Sequence, residues 1–133
     1  MNAPDGFVPY DNQGPFLEHI GPIMVSEGHH RRGIAPERLA AVLSRNAARI
    51  YRMANKGALA VGYDADITIV DPELSRAVEP AALESLADYS PYETMTLKGW
   101  PTATYVRGRR VMSDGAIVAE ARDHPQGHYL FRT

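Results

Sequence analysis

The spacing of apolar residues predicts that the chain begins with helices. From Phe16 onward, apolar positions recur at helical spacing, and the pattern ends near Gly28. Pro22 lies inside this pattern, and because proline lacks an amide hydrogen we expect it to kink the helix or to move its start. Residues 1–15 hold three prolines and two glycines, so they are predicted to form a loop or an extended arm.

A second helical region is predicted after a basic turn at residues 29–33. Pro36 is well placed as a first helical residue, because its missing amide hydrogen is not needed there. The apolar stripe that follows consists of Leu39, Val42 and Leu43. Asn46 is predicted to cap a further short helix, whose apolar positions are Ala47, Ile50 and Tyr51.

After Gly57 the pattern becomes typical of strands. Residues 66–70 are rich in β-branched side chains, and this strand is predicted to stop at Asp71-Pro72. One short helix is predicted over residues 79–87. Four short strands are then predicted, separated by turns at Trp100-Pro101, at Gly108 and at Asp114-Gly115, over residues 94–98, 102–106, 109–112 and 116–119. This order predicts a β-meander, followed by a polar tail over residues 120–133.

Helices followed by an antiparallel sheet define an α+β fold, with the break near Gly57. We therefore divide the chain into loop and helices over residues 1–56 and a β-rich part over residues 57–133. The apolar helical residues pose a packing problem, since a small protein rarely leaves a contiguous apolar patch exposed. The sequence accordingly predicts a homo-oligomer formed through the helices or by exchange of elements between copies.

Composition narrows the classes of function. The chain has 133 residues, of which 44% are hydrophobic and 23% charged, as in an ordinary globular domain. A formal net charge of −2 gives no general attraction to nucleic acid or to an anionic membrane, and there is no cysteine for a disulfide or a thiol nucleophile. Neither a signal peptide nor a membrane-spanning stretch is visible, so a cytoplasmic protein is expected.

Histidines at three places in the chain are candidates for catalytic or metal-binding residues. His29 and His30 are adjacent, and neighbouring side chains rarely reach one ion, so a solvated turn is the better interpretation. Asp123-His124 follows the last predicted strand and is interpreted as a hydrophilic turn. His19 has no partner at a suitable spacing and is expected to be packed or partly exposed on its helix.

Two groups of charged residues are further candidates for a functional site. Asp64 and Asp66 stand at the start of a strand beside Gly62, where turn formation explains them better than a paired-carboxylate site. The basic cluster formed by Arg107, Arg109 and Arg110 lacks an aromatic array for stacking bases, which favours a solvent-facing hairpin over a nucleic-acid site.

Two segments carry a family resemblance. Residues 56–72 read Lys-Gly-Ala-Leu-Ala-Val-Gly-Tyr-Asp-Ala-Asp-Ile-Thr-Ile-Val-Asp-Pro, and residues 90–93 and 98–108 read Ser-Pro-Tyr-Glu and Lys-Gly-Trp-Pro-Thr-Ala-Thr-Tyr-Val-Arg-Gly. Together they resemble the carboxy-terminal part of a D-hydantoinase or dihydropyrimidinase, a metal-dependent cyclic amidohydrolase. The resemblance runs from about residue 12 to the end of the chain. It implies helices from the end of a (β/α)8 barrel, followed by part of an accessory β-sandwich.

The resemblance also implies chemistry. These enzymes open cyclic amides such as hydantoins with two divalent metal ions, commonly zinc, held by a His-x-His pair, a carbamylated lysine, two further histidines and an aspartate in a Ser-Asp-His motif. Neither histidine motif occurs in these 133 residues, so no metal ligand and no catalytic residue is assigned to this chain. The family's asparagine that contacts the cyclic amide corresponds by position to Asn12, our one candidate for substrate binding.

Two functions of different classes follow. The first is the carboxy-terminal portion of a cyclic amidohydrolase, inactive without an upstream barrel portion supplied in cis or by another chain. The second is a non-catalytic oligomerisation or interaction module on the same scaffold. Whether the chain itself is an enzyme stays open at this point, as does the choice among hydantoin, dihydropyrimidine, allantoin and dihydroorotate as substrates.

Overall fold

The computed structural model describes residues 16–84, 89–124, 127, 128 and 130. Helices come first along the chain, and a four-stranded antiparallel sheet follows. The α+β class and the single antiparallel sheet are therefore as the sequence predicted. Within the described part of the chain, no helix has the length and apolar character needed to cross a membrane.

The first helix changes its geometry near Pro22. Helix α1 spans Phe16–Ile23 and continues without a break into a π-helical segment, Met24–Arg31. Pro22 is buried inside α1, and the wider π-helical hydrogen bonding begins two residues later. A proline cannot donate to the carbonyl four residues earlier, so a local departure from α geometry is expected near it. The predicted end near Gly28 falls three residues early.

The second helical run is continuous where a cap was predicted. Helix α2 spans Pro36–Ala40, a π-helical segment spans Ala41–Arg45 and helix α3 spans Asn46–Ile50. Pro36 is the first helical residue, as predicted. The cap at Asn46 was wrong, because Arg45 before it is already helical, with φ −56° and ψ −46°, so the helix passes through Asn46 without a new start.

The sheet is a meander of four consecutive strands. Strand β1 spans Ile67–Ala77, β2 spans Thr96–Val106, β3 spans Arg109–Ser113 and β4 spans Ala116–Ile117. Each strand pairs antiparallel with the next, in the order β1-β2-β3-β4. A meander was predicted, but the predicted strands at 94–98 and 102–106 are one strand, β2, and β1 is the fourth member of the sheet.

Two strands are longer than the sequence predicted. Strand β1 does not stop at Asp71-Pro72 but continues to Ala77, and β2 runs through the predicted turn at Trp100-Pro101. Irregularities in the β1–β2 register between Ile69 and Val70 and between Asp71 and Ser75 accommodate the prolines. Sheets tolerate proline at bulges and on edge strands, so these prolines shift the pairing without ending the strands.

Two further predictions, of a helix over residues 79–87 and of a polar tail over residues 120–133, need correction. Of the helix predicted over residues 79–87, the described part holds one 3-10 turn, Pro80–Ala82, and residues 85–88 lie outside the described residues. Residues 120–133 were predicted to be a polar tail, but helix α4 occupies Ala119–Asp123. The chain therefore makes one more helical turn after β4 than expected.

The first helical run packs on β2, and half of the buried apolar side chains come from the second helical run. These side chains are Leu39, Ala41 and Ala48 in the second helical run, Val78 just after β1, and Leu97 and Ala103 in β2. Other apolar residues of the second helical run remain exposed, among them Val42 and Leu43, and Ile50 is 72% exposed. The second helical run thus packs one face against the rest of the protein and exposes an apolar face to solvent. We call this exposed face the open helical face.

Candidate functional site

Lys56 draws together two carboxylates of the segment that precedes β1. Its Nζ lies 2.7 Å from Oδ2 of Asp64 and also contacts Oδ2 of Asp66. The lysine side chain is only 14% exposed, so this ion pair is partly shielded from water. The backbone supports the arrangement, since the amide of Asp66 donates to the carbonyl of Asp64 at 2.8 Å.

The same aspartate connects this segment to the β2–β3 turn. Oδ1 of Asp66 accepts a hydrogen bond of 2.8 Å from the amide of Arg107, and the amide of Gly108 donates to Ala65 O at 2.9 Å. Hydrogen bonds from Lys56 and then from the Arg107 amide lower the pKa of Asp66. Partial burial lowers the pKa of Lys56, but the bonds to the two aspartates outweigh it and the net pKa is raised.

We call this set of Lys56, Asp64 and Asp66 the lysine clamp. The lowered pKa of Asp66 keeps that carboxylate ionised against a cation, which suits a structural joint better than proton transfer. The turn lies just before them, at Val61 and Gly62, so the contacts with Lys56 explain Asp64 and Asp66 better than the predicted turn formation does. No sequence pattern indicated Lys56 as their partner, although this lysine is the first residue of segment 56–72, which carries the family resemblance.

A cleft of about 880 Å³ lies between the start of α1, the end of β1 and β2 to β4. Its apolar lining includes Leu17, Leu83, Trp100, Met112 and Ile117. Such a volume lies within the range of small-molecule sites, about 300–1,000 Å³. No local sequence pattern indicated this cleft, because its lining comes from distant parts of the chain.

His19 lies in the wall of the cleft and is fully buried. Its ring packs edge-on against Tyr92, with centroids 5.9 Å apart, and against Trp100, with centroids 6.2 Å apart. Neither ring nitrogen has a hydrogen-bond partner among the described residues. The prediction that His19 is packed is confirmed, and its surroundings are those of a core aromatic residue.

Charged side chains at the rim of the cleft bind to neighbouring residues of the same chain. Arg122 forms an ion pair with Glu84 at 3.0 Å, and the amide of Glu84 donates to Oε2 of Glu18 at 3.2 Å. The Arg76 guanidinium lies 6.0 Å from the centroid of the Trp100 ring. These contacts hold the cleft walls together, and among the described lining residues no nucleophile lies beside a base.

His29 and His30 do not form a solvated turn. They lie in the last turn of the π-helical segment, where His29 Nδ1 donates to Ile34 O at 2.9 Å and His30 Nε2 donates to Pro72 O at 2.7 Å. A carbonyl oxygen only accepts hydrogen bonds, so both nitrogens must carry hydrogen. The two side chains join the helix to its own end and to β1, and they do not converge on one point for a metal ion.

The remaining sequence candidates are dispersed. Asp123 ends helix α4 and His124 follows it, where its amide donates to Glu120 O at 3.0 Å, so the predicted hydrophilic turn is a helix end. Arg109 pairs with Glu120 on the surface beside the β2–β3 hairpin. Asn12 lies outside the described residues.

The Ser-Pro-Tyr-Glu motif is a turn anchored by a buried serine. Ser90 is almost completely buried, and its Oγ accepts a hydrogen bond from the amide of Tyr92 at 3.2 Å. The amide of Met95 donates to Tyr92 O at 2.8 Å, and the amide of Val78 donates to Met95 O at 3.0 Å. The motif therefore leads the chain into β2 and brings Tyr92 against His19, which is a structural role.

The ligands of a metal centre are not assembled by the described residues. Among them, no group of three or more histidine, cysteine, aspartate or glutamate side chains could hold a metal ion. Divalent metals of hydrolases need three or more such donors converging on one point. The described part of this chain therefore does not fit a metal ion, and no metal-assisted step is derived from it.

Comparison with known proteins gives one consistent family. A sequence model described as "Amidohydrolase family" matches residues 16–111. The allantoinase of Rubrobacter xylanophilus is 39% identical over 98 residues, which are 74% of this chain and 22% of that protein. The D-hydantoinase of Ralstonia pickettii is 33% identical over 111 residues, 83% of this chain and 24% of that protein.

Solved structures agree with the sequence comparison. The L-hydantoinase (dihydropyrimidinase) from Arthrobacter aurescens superposes with a TM-score of 0.69 at 33% identity, covering 74% of this chain and 22% of that one. The D-hydantoinase (dihydropyrimidinase) from Thermus sp. gives a TM-score of 0.74 at 28% identity, covering 78% and 23%. The resemblance to part of a hydantoinase is thereby confirmed, and the chain spans less than a quarter of the length of these proteins.

Proposed function

Since the chain belongs to the amidohydrolase family, we propose that it serves as the carboxy-terminal portion of an enzyme that hydrolyses the C–N bond of cyclic amides. Hydantoins and dihydropyrimidines are the proposed substrates, with allantoin and dihydroorotate as the nearest alternatives. The observation that carries the proposal is the match of residues 16–111 to this family, together with hydantoinases and an allantoinase as relatives.

In the proposed enzyme, this chain supports an active site whose metal ligands lie on the upstream portion. A bound divalent metal, such as zinc, would supply an activated water for attack on the ring carbonyl. Residues 1–56 would complete the end of the catalytic barrel, and residues 57–133 would form part of the accessory β-domain. Asn12 would contact the cyclic amide. The chain alone is then inactive, because the ligands lie on the upstream portion.

The open helical face is the proposed contact with that upstream portion. Val42 and Leu43 lie side by side in the second helical run with Ile50 farther along it, and all three are exposed although apolar. A barrel strand or another apolar surface packed on them would remove this area from water, at about 25 cal/mol for each Å². The face therefore suits an obligate contact with the rest of such an enzyme.

Complementation tests this proposal directly. The D-hydantoinase of Ralstonia pickettii can be prepared without the segment that aligns with this chain, and hydantoin ring opening measured before and after adding the 133-residue protein. The proposal predicts that activity appears only in the mixture with zinc or manganese. A Val42→Lys variant should complement at least tenfold less well. A mixture that stays inactive although the two chains bind each other would contradict the proposal.

The alternative is a non-catalytic oligomerisation or interaction module. The exposed apolar helical face favours it, because a second copy could cover that face as well as a barrel could. Light scattering at high protein concentration separates the two ideas. A homo-oligomer that persists when the truncated hydantoinase is added supports the module, whereas a monomer that complements the truncated enzyme excludes it.

A further inference from the structure

The turn between β3 and β4 consists of two residues, Asp114 and Gly115, and it is closed by the pairing of Ser113 with Ala116. Both turn residues have positive φ, +52° for Asp114 and +93° for Gly115, as in the tight hairpin turns that favour the sequence Asp-Gly. Both are exposed to solvent. Because glycine has no side chain, its amide nitrogen is open to reaction with the carboxyl group of the aspartate before it.

The amide of Gly115 takes no part in the pairing of β3 with β4. Its hydrogen is donated to Met112 Sδ at 3.3 Å. A thioether sulfur is a weak acceptor, so this contact holds the hydrogen less firmly than a carbonyl oxygen would. The neighbouring amide of Asp114, by contrast, donates to Thr102 O at 2.9 Å. The Gly115 nitrogen is therefore the less protected of the two turn nitrogens.

Arg76 lies against the peptide group that joins Asp114 to Gly115. Its Nη1 donates to Asp114 O at 3.3 Å, and a Cβ placed on Gly115 would lie 2.8 Å from that nitrogen. Loss of the Gly115 amide hydrogen moves negative charge onto Asp114 O, because the nitrogen and oxygen of a peptide group share electrons. A guanidinium that donates to this oxygen stabilises the developing charge. Arg76 therefore favours the reactive form of the Gly115 nitrogen.

The side chain of Asp114 is held within the turn by its neighbours. Ser113 Oγ lies 3.0 Å from Asp114 Oδ2, and Arg110 Nη2 donates to Ser113 Oγ at 2.6 Å. Since the serine oxygen accepts from the arginine, its own hydrogen is donated to the carboxyl group. A donor on Oδ2 also stabilises the charge that develops there when a nucleophile attacks Cγ.

We propose that Asp114 is a site of spontaneous isomerisation, at which Arg76 promotes attack by the Gly115 nitrogen on the Asp114 side chain. The nitrogen forms a bond to Cγ, and the amide hydrogen leaves with the carboxyl hydroxyl group as water, which gives a succinimide ring. Water then adds to the main-chain carbonyl of Asp114 and breaks its bond to the nitrogen. The product is isoaspartate at position 114, with no net change in composition or oxidation state.

Isomerisation lengthens the backbone of this turn by one methylene group. Strand β4 has only two residues, and its Ile117 pairs with Met112 of β3. Both side chains line the cleft, so the modification displaces one edge of the cleft. The reaction needs only the turn, Arg76 and water. The inference therefore depends neither on what covers the sheet in a longer protein nor on the proposed hydrolase function.

Prolonged incubation of the 133-residue protein near neutral pH tests this proposal. Isoaspartate is located by isoaspartyl methyltransferase labelling and peptide mapping. It should accumulate at position 114, and at least threefold faster in the folded protein than in urea, where Arg76 no longer contacts the turn. Asp5-Gly6 is the other aspartate–glycine pair of the chain, so Asp5 serves as an internal reference when variants are compared.

Variants at Arg76 separate the effect of the guanidinium from that of the turn. Arg76→Gln should slow isomerisation at position 114 at least threefold and leave the rate at Asp5 unchanged, whereas Arg76→Lys should retain most of the rate because it keeps the positive charge. Arg122→Gln is the control, since Arg122 is an exposed arginine that pairs with Glu84. An absence of isoaspartate at position 114, a rate there as high in urea, or equal rates in the Arg76→Gln and Arg122→Gln variants would each overturn the proposal.

Discussion

Val25 lies directly over Gly99, so the π-helical segment and β2 touch where the strand has no side chain. A Cβ placed on Gly99 would overlap with both the Cβ and the Cγ1 atoms of Val25. Gly99 also has φ +98°, a conformation that other residues rarely adopt. The close approach of the helical layer to the sheet therefore depends on glycine at this position.

Gly99→Ala should destabilise the fold strongly. The overlap with Val25 and the positive φ each cost about 1–3 kcal/mol, so we expect the free energy of unfolding to fall by about 3 kcal/mol or more. Gly62→Ala is the matched control, because Gly62 has φ +89° with no atom within 4 Å of its added Cβ. Urea unfolding measures both. Equal losses for the two variants would show that the contact with Val25 adds nothing.

Lys56→Met should weaken the joint between the helices and the sheet. It leaves Asp64 and Asp66 close together without their cation, and we expect a loss of about 1–3 kcal/mol in the free energy of unfolding. Lys98→Met is the control, since the Lys98–Glu73 pair is more exposed and should change stability by less than about 1 kcal/mol. If both variants unfold at the same urea concentration, the lysine clamp is no more than a surface ion pair.

Acid should reveal the contribution of Asp66. Its folded-state pKa lies below the ordinary value of 3.8. The unfolded chain therefore binds the proton first, so the stabilisation is complete well above pH 3.8 and is lost as the pH falls through the lower folded-state pKa. Asp66→Asn should be less stable than wild type near neutral pH, and the difference should shrink in acid. Urea unfolding at several pH values checks this, and a difference independent of pH would contradict it.

His19→Leu should be tolerated. His19 is buried between Tyr92 and Trp100 with both ring nitrogens unpartnered among the described residues, so an apolar side chain of similar size removes an uncompensated polar group. We expect the melting temperature to stay equal or to rise. His19→Ala should cost about 2–4 kcal/mol through the cavity it leaves. A leucine variant as unstable as the alanine variant would mean that the imidazole nitrogens bind a group of their own.

Local patterns predicted the elements of this fold better than their ends. The β-branched run after Gly57 indicated β1, and the turn at Gly108 indicated the β2–β3 hairpin. Strand pairing then overrode two local signals, because bulges in the register let β1 and β2 continue past Pro72 and Pro101. The cap at Asn46 failed for a similar reason, since the helix before it never ended.

The candidate sites were harder to predict than the fold. The solvated turn predicted for His29 and His30 was wrong, because nothing in the sequence indicated that His30 would reach Pro72, 42 positions away. Lys56 is the first residue of segment 56–72, which carries the family resemblance. Its pairing with Asp64 and Asp66 nevertheless depends on how the loop between them folds back. Contacts between distant residues are set by tertiary packing, which local patterns do not encode.

The measurement that tests the central claim most directly is ring opening of hydantoin and dihydrouracil by the purified 133-residue protein, with zinc or manganese added. Our account holds that this chain carries an amidohydrolase scaffold whose metal ligands lie elsewhere, and it predicts no turnover above the metal-only control. Turnover that survives repeated purification and disappears with a chelator would contradict the account. Histidines assigned here to structural roles would then have to build a metal centre, within one copy or between two.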